Sequence, residues 1–231
     1  MNTITRQAEE LALKFRVQVG ISYKEPVNAK TLLRKLNILA MYRPLSTKFW
    51  GLSTKTADNK YKFILINSNS TRGRQHFTIA HELYHLFYDA KPQPHFCGQE
   101  EKDKTEKMAD EFASALLMPY EGIMENIPTD EIRGKKISMA TILRMEQLYG
   151  VSHQSMTIRL KKLGLITEEE LQQYNAVSIT DISHAYGVDQ SLYLKGNDNL
   201  TIGDLGLKAK ILFDKDKISE GHYIEILNML K

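Results

Sequence analysis

The sequence predicts an α+β protein in which a small antiparallel sheet sits between opening helices and a long polar-striped helix, followed by a mainly helical remainder. Three observations predict it. Apolar residues recur at helical spacing near the N-terminus, three short β-branched and aromatic runs follow, and helical spacing dominates from residue 106 onward. At 231 residues, 42% hydrophobic and 26% charged, the chain can bury a core without disulfides.

Residues 3–18 place Ile4, Ala8, Leu11, Ala12 and Phe15 on one helical face, and Asn28 precedes a second amphipathic stretch, 29–36. Residues 38–45, 49–52 and 61–67 read as strands, with Asp58-Asn59-Lys60 as a hairpin turn between the last two. A long helix spans about residues 73–88. The polar segment 89–105, with Pro92, Pro94 and Gly98, reads as a loop. Residues 106–118 are helical and end at Pro119, and 130–136 read as a linker. Two helices, 140–149 and 153–163, flank Gly150-Val151-Ser152 in a helix-turn-helix-like arrangement. Short helices are expected at 181–186, 205–213 and 220–230.

Net charge of +3 is too small to argue for nucleic acid. The interrupted N-terminus lacks the apolar core of a signal peptide, no apolar run reaches membrane-spanning length, and a lone cysteine, Cys97, forms no internal disulfide; these features lead to the expectation of a cytoplasmic protein without a membrane partner.

The chemistry concentrates in His81-Glu82-Leu83-Tyr84-His85. Residues four apart share a helix face, so His81 and His85 can offer two imidazoles to one metal ion, with Glu82 beside them to take a proton from water. Thr78, His81, Glu82, His85 and Asp89 form a polar stripe on an otherwise apolar helix. A catalytic zinc ion needs three protein ligands and an open position. Glu106 and Asp110 share one face of the next helix with Ala109 and Ala113, whose small side chains allow a close crossing. Glu106 is the expected third ligand, and Asp110 the expected acceptor from a ligating histidine's outer nitrogen. Without the histidine pattern, both carboxylates would read as ordinary charge at a helix start.

Phe77-Thr78-Ile79-Ala80-His81-Glu82-Leu83-Tyr84-His85-Leu86, followed by Glu106-Lys107-Met108-Ala109-Asp110-Glu111-Phe112-Ala113-Ser114-Ala115-Leu116-Leu117-Met118-Pro119, closely resembles the ImmA/IrrE family, most clearly over residues 30–165. The resemblance implies a gluzincin-type zinc endopeptidase with ligands His81, His85 and Glu106 and general base Glu82. It also implies a protein substrate, a helix-turn-helix repressor of a mobile element or stress regulon. The expected division is a zincin-like metallopeptidase domain over 1–130, a helix-turn-helix-like module over 131–175 and a helical extension over 176–231.

Tyr84, Tyr88, His95 and Tyr120 are candidate oxyanion donors, with Tyr84 off the polar stripe. Residues 63–67 are a candidate strand for aligning substrate. Cys97 reads as an ordinary loop thiol rather than a fourth ligand or redox sensor. Arg72 and Arg74 are candidates for binding substrate, although arginines at such a junction more often face solvent or brace a loop, and His184 and His222 have no ligand-spaced neighbours. Residues 135–165 carry Lys135, Lys136, Arg144, Arg159, Lys161 and Lys162 against Glu146, which opens a second reading: a DNA-binding regulator with a structural or vestigial metal site. A helical module docked on the protease or its substrate is preferred, because no base-reading residues are identifiable.

Overall fold

A computed structural model describes residues 3–46, 48–89, 95–98 (as backbone) and 103–230. Among them α1 (Thr3–Gln18) and α2 (Ala29–Lys35) precede β1 (Ile38–Arg43), β2 (Phe49–Lys55) and β3 (Lys62–Asn67). Then come α3 (Arg72–Tyr88), β4 (His95–Gly98), α4 (Lys104–Leu117), α5 (Tyr120–Asn126), α6 (Thr129–Gly134), α7 (Met139–Tyr149), α8 (His153–Lys162) and α9 (Glu168–Asn175). The chain closes with α10 (Ile179–Ala185), a 3-10 turn (Gln190–Tyr193), β5 (Thr201–Ile202), α11 (Leu205–Asp214) and α12 (Glu220–Asn228). No helix among the described residues is long and apolar enough to cross a membrane.

The sheet order is β4-β2-β3-β1-β5. The expected antiparallel sheet is in fact mixed: β2 and β3 form the hairpin, but β1 pairs with β3 in parallel. The chain therefore leaves β1 and crosses the end of β3 before returning as β2. Buried Asn67 holds this crossing, donating to the Ser46 and Phe49 carbonyls and accepting from the Leu45 amide. The hairpin turn forms as expected, with Asn59 at φ 56° in the left-handed region that asparagine tolerates.

Three further expectations are corrected. Residues 63–67 lie in the central strand, hydrogen-bonded on both sides by β1 and β2, so they have no free edge for a substrate. The 89–105 loop contains β4, which extends the sheet beyond β2, because a bare β2 edge would leave a row of backbone groups unpaired. The 130–136 linker is largely α6, which ends at Lys135 with φ 51°; Glu131 on it accepts from the Ser138 amide and hydroxyl.

Residues from α1, β1, β3, α3, α4, α7 and α8 share one buried apolar cluster, including Phe15, Ile64, Leu83, Phe112, Ile142 and Leu160. Two buried arginines pin the C-terminal end of α4, where helix carbonyls lack intrahelical partners. Arg16 donates to the Leu116 carbonyl from Nε at 3.0 Å and Nη2 at 2.6 Å, and to the Ser22 and Glu25 carbonyls. Burial pulls its pKa down to about 10, still far above neutrality. Arg159 of α8 donates to the Met118 carbonyl at 3.0 Å and pairs with Glu9 of α1.

The α7–α8 corner sits against the first turns of α3. A Cβ on Gly73 would lie 2.7 Å from the Ser152 backbone nitrogen, and His76 Nδ1 lies 3.0 Å from the Gly150 carbonyl. Beyond α8, the Arg72 amide and guanidinium donate to the Leu194 and Ser191 carbonyls, and Gln75 donates to the Gly196 carbonyl. The C-terminal segment is thereby stitched to the start of α3, and β5 closes the β1 edge.

Buried His153, which opens α8, has Glu146 Oε1 at 2.6 Å from Nδ1 and the Tyr174 carbonyl at 2.9 Å from Nε2, while Tyr193 donates to the other Glu146 oxygen. Burial alone would lower the His153 pKa, but the bond and charge of Glu146 and the Tyr174 carbonyl together raise it above its ordinary 6.5. A raised folded pKa stabilises fully below 6.5, and that stabilisation is lost as pH rises through the folded value. Urea unfolding of wild type and His153→Gln across pH 5.5 to 9 should therefore show the wild-type advantage largest at acid pH and shrinking toward alkaline pH.

Candidate metal centre

The candidate metal-holding groups, His81, His85 and Glu106, come from two helices. Thr71 caps α3, its hydroxyl accepting from the Arg74 amide, and Asp89 closes it. On this helix His81, Glu82 and His85 are all buried, at 1%, 0% and 4% exposure. Asp103 caps α4 by accepting from the amide of Glu106 at 2.9 Å, which fixes the turn that carries that carboxylate. Ala109 and Ala113 are fully buried, as a close crossing of the two helices requires.

His81 Nε2 and His85 Nε2 are 3.2 Å apart. Glu106 Oε2 lies 3.4 Å from His81 Nε2, and Glu106 Oε1 lies 3.2 Å from His85 Nε2. His81, His85 and Glu106 are the group among the described residues whose side chains could jointly hold a metal ion. Tetrahedral bonds of about 2.0–2.1 Å separate neighbouring donor atoms by about 3.3–3.4 Å, so these spacings fit such an ion. Two imidazoles with one carboxylate also favour a transition metal over magnesium or calcium, which take oxygen ligands.

Each histidine is held from behind by a carboxylate. Asp110 Oδ1 lies 2.9 Å from His81 Nδ1, the pairing expected from sequence. Asp89 Oδ2 lies 3.3 Å from His85 Nδ1, a contact that sequence reasoning missed although Asp89 belonged to the polar stripe. With a proton on each Nδ1 shared with these acceptors, each Nε2 would offer its lone pair to a metal ion.

Sequence reasoning also missed Ser53. Its hydroxyl donates to Glu82 Oε2 at 2.6 Å across the contact between β2 and α3. The available signal was a polar residue on the buried face of an alternating strand: Gly51 and Ser53 are the buried positions of β2. Gly51 is needed there, because an added Cβ would meet Thr78 Cγ2 at 2.7 Å and the Leu65 carbonyl at 2.8 Å.

The oxyanion candidates separate. The Tyr84 ring packs on Phe112 and edge-on to His85, and burial raises its pKa. Tyr88 also packs on Phe112, and its hydroxyl donates to the Leu11 carbonyl. Tyr120 is exposed at the start of α5. His95 pairs with Ser53 in the β2–β4 ladder, but the side chains of His95 and Cys97 lie outside the described part. Arg72 braces the 191–194 segment, whereas Arg74 lies over the Trp50 ring, 4.6 Å from its centroid.

Residues 33–161 match the family described as the IrrE N-terminal-like domain, peptidase family M78. The match covers more than half of the chain, so the protein belongs to this ImmA/IrrE family and is a metallopeptidase. No curated protein matches the chain.

If the two aspartates orient the rings, Asp110→Ala and Asp89→Ala should each weaken metal affinity about 10–100-fold while leaving the fold intact. Competition with a chromophoric chelator measures the first quantity and far-ultraviolet circular dichroism the second.

Proposed function

We propose that the protein is a zinc endopeptidase that hydrolyses a peptide bond in a partner regulatory protein, a helix-turn-helix repressor of a mobile element or stress regulon, in the cytoplasm. The observation that carries the peptidase part is the 3.2–3.4 Å spacing of the His81, His85 and Glu106 donor atoms beside a glutamate that Ser53 holds in place. The repressor as substrate rests on the family resemblance.

In this reading His81, His85 and Glu106 hold the ion and leave a position open toward solvent. Zinc, when bound, supplies Lewis acidity that polarises a carbonyl and makes water easier to deprotonate. Glu82 takes the proton from the attacking water and passes it to the leaving amine. Ser53, by fixing one Glu82 oxygen, limits rotation of the carboxylate and shortens the search for a productive geometry. Asp110 and Asp89 keep both imidazoles in the tautomer that presents Nε2.

We further propose that 1–130 carry this machinery, that 131–175 form a helical module seated on it, and that 176–231 form an extension. The DNA-binding reading is weakened by the fate of four of its six cations, Lys135 and Lys136 being exposed. Arg159 is buried and paired with Glu9, Lys161 pairs with Glu168, Lys162 pairs with Glu111, and Arg144 donates to the Asn126 carbonyl. Charges already engaged by carboxylates and carbonyls give little phosphate affinity.

Glu82→Gln should retain metal but cut the rate of repressor cleavage at least about 10²-fold. Co-expression of the zinc-loaded protein with a helix-turn-helix repressor encoded beside it, read by immunoblot, provides the assay. Equal survival of the repressor with wild type and variant under inducing conditions overturns the peptidase reading. His85→Ala should lose both metal and activity.

A further inference from the structure

A cavity of about 260 Å³ opens on a face of α3 other than the one that carries the metal ligands. Arg72, His76 and Ile79, at helical spacing, form its α3 wall. Tyr42 of β1, the start of α2 and Asn197 of the C-terminal segment complete it. His81 and His85 leave the helix on a different side, so this cavity is separate from the metal centre.

Tyr42 is only 2% exposed, yet its hydroxyl has no hydrogen-bond partner among the described residues. Buried phenols ordinarily find one. Burial pushes the Tyr42 pKa up to about 12, so at neutral pH the group is a protonated donor. Two cations, Arg72 and Lys30, line the same space, and among the described residues no carboxylate does. Asp189, which feels the Arg72 charge, is exposed and lies outside the lining. The Arg72 guanidinium is held in advance: Nη1 donates to the Ser191 carbonyl at 2.9 Å, and a Cβ on Gly196 would fall 2.5 Å from Nη2. That bond uses one of five N–H donors. The first turn of 17-residue α3 adds the positive end of a helix dipole. A donor hydroxyl, a braced guanidinium and an exposed ammonium therefore line one space with no negative charge of the protein's own to balance them.

We propose that this cavity binds a phosphate monoester with a small hydroxylated body. Two unbalanced cations suit a group that carries a charge of about −1.5 to −2 at neutral pH, whereas a carboxylate brings only one. The guanidinium fork matches two phosphate oxygens, and the Tyr42 hydroxyl donates to a third. The cavity is larger than a bare oxyanion requires, and its remaining polar groups suit hydroxyls. Asn28 accepts the Thr31 amide through Oδ1, which leaves its nitrogen as a donor. Asn197 donates Nδ2 to Gln75, which leaves its oxygen as an acceptor. A bound ester bridges α3 to Asn197 and so ties the C-terminal segment to the helix that carries the metal ligands. The proposal does not depend on the peptidase reading.

The zinc-loaded full chain is titrated by calorimetry at fixed ionic strength with ribose 5-phosphate, inorganic phosphate and gluconate. Ribose 5-phosphate should bind at least about tenfold more tightly than gluconate, and more tightly than inorganic phosphate. Tyr42→Phe removes a hydroxyl that no described residue uses, so its melting temperature without ligand should match or exceed that of wild type. Its affinity for ribose 5-phosphate should nevertheless fall at least about tenfold. Lys30→Gln, at an exposed position, should weaken binding and flatten its dependence on salt. Phosphate attached to the zinc ion instead would bind Tyr42→Phe and wild type alike, which overturns the proposal. Equal affinity for ribose 5-phosphate and either comparison anion, or no binding of ribose 5-phosphate to wild type that holds zinc, also overturns it and leaves the metal centre standing.

Discussion

The close crossing of α4 over α3 is the constraint on which the rest of the site depends. Two imidazoles on one helix cannot complete a three-ligand centre, and the third donor must come from another element held within a few tenths of an ångström. Ala109 and Ala113 let the helices approach, and the packing of Phe112 against Tyr84 and Tyr88 fixes the rotation about the crossing. The far end of α4 is held by Arg16 and Arg159, whose guanidinium groups satisfy carbonyls that the helix itself leaves unpaired. Those two arginines come from α1 and α8, so the opening helix and the helix-turn-helix-like corner both help position Glu106.

Burying this much charge requires that each group have a partner, and the site meets that requirement in a consistent way. His81 is backed by Asp110, His85 by Asp89, and Glu82 by Ser53. Each pairing also removes a rotational freedom that would otherwise blur the donor geometry. Ser53 links the chemistry to the sheet, and Gly51, two residues earlier, lets β2 lie close enough to α3 for that bond to form. The sheet therefore serves the site through a hydroxyl and an absent side chain, while its central strand is consumed in holding β1 and β2.

Much of this was legible in the sequence because it is local. The i, i+4 spacing of His81 and His85, the carboxylates of Glu106 and Asp110 beside two alanines, and the Gly150 corner all follow from helix periodicity. What was not legible depends on which elements become neighbours. Apolar runs in β1 and β3 mark both as strands but do not say that they pair with each other in parallel, and two-residue β5 leaves almost no pattern. Ser53 lies 29 residues from Glu82 and meets it only when β2 packs on α3. Asp89 stood on the polar stripe, yet its role appears only once the helix end turns its carboxylate toward His85. Trp50 and Ile158 share a cavity because a strand and a distant helix both border α3, which no spacing encodes.

The central claim, that α3 and α4 assemble an open site from two imidazoles and one carboxylate, is tested most directly by X-ray absorption at the zinc edge. The full chain, loaded with one equivalent of zinc, should show about two imidazole nitrogens and two further oxygen scatterers near 2.0–2.1 Å and no sulfur. One oxygen contribution should be lost or replaced in Glu106→Ala. A sulfur shell near 2.3 Å, or a spectrum unchanged by Glu106→Ala, would contradict the account, because the ion would then be held by a different and closed set of ligands.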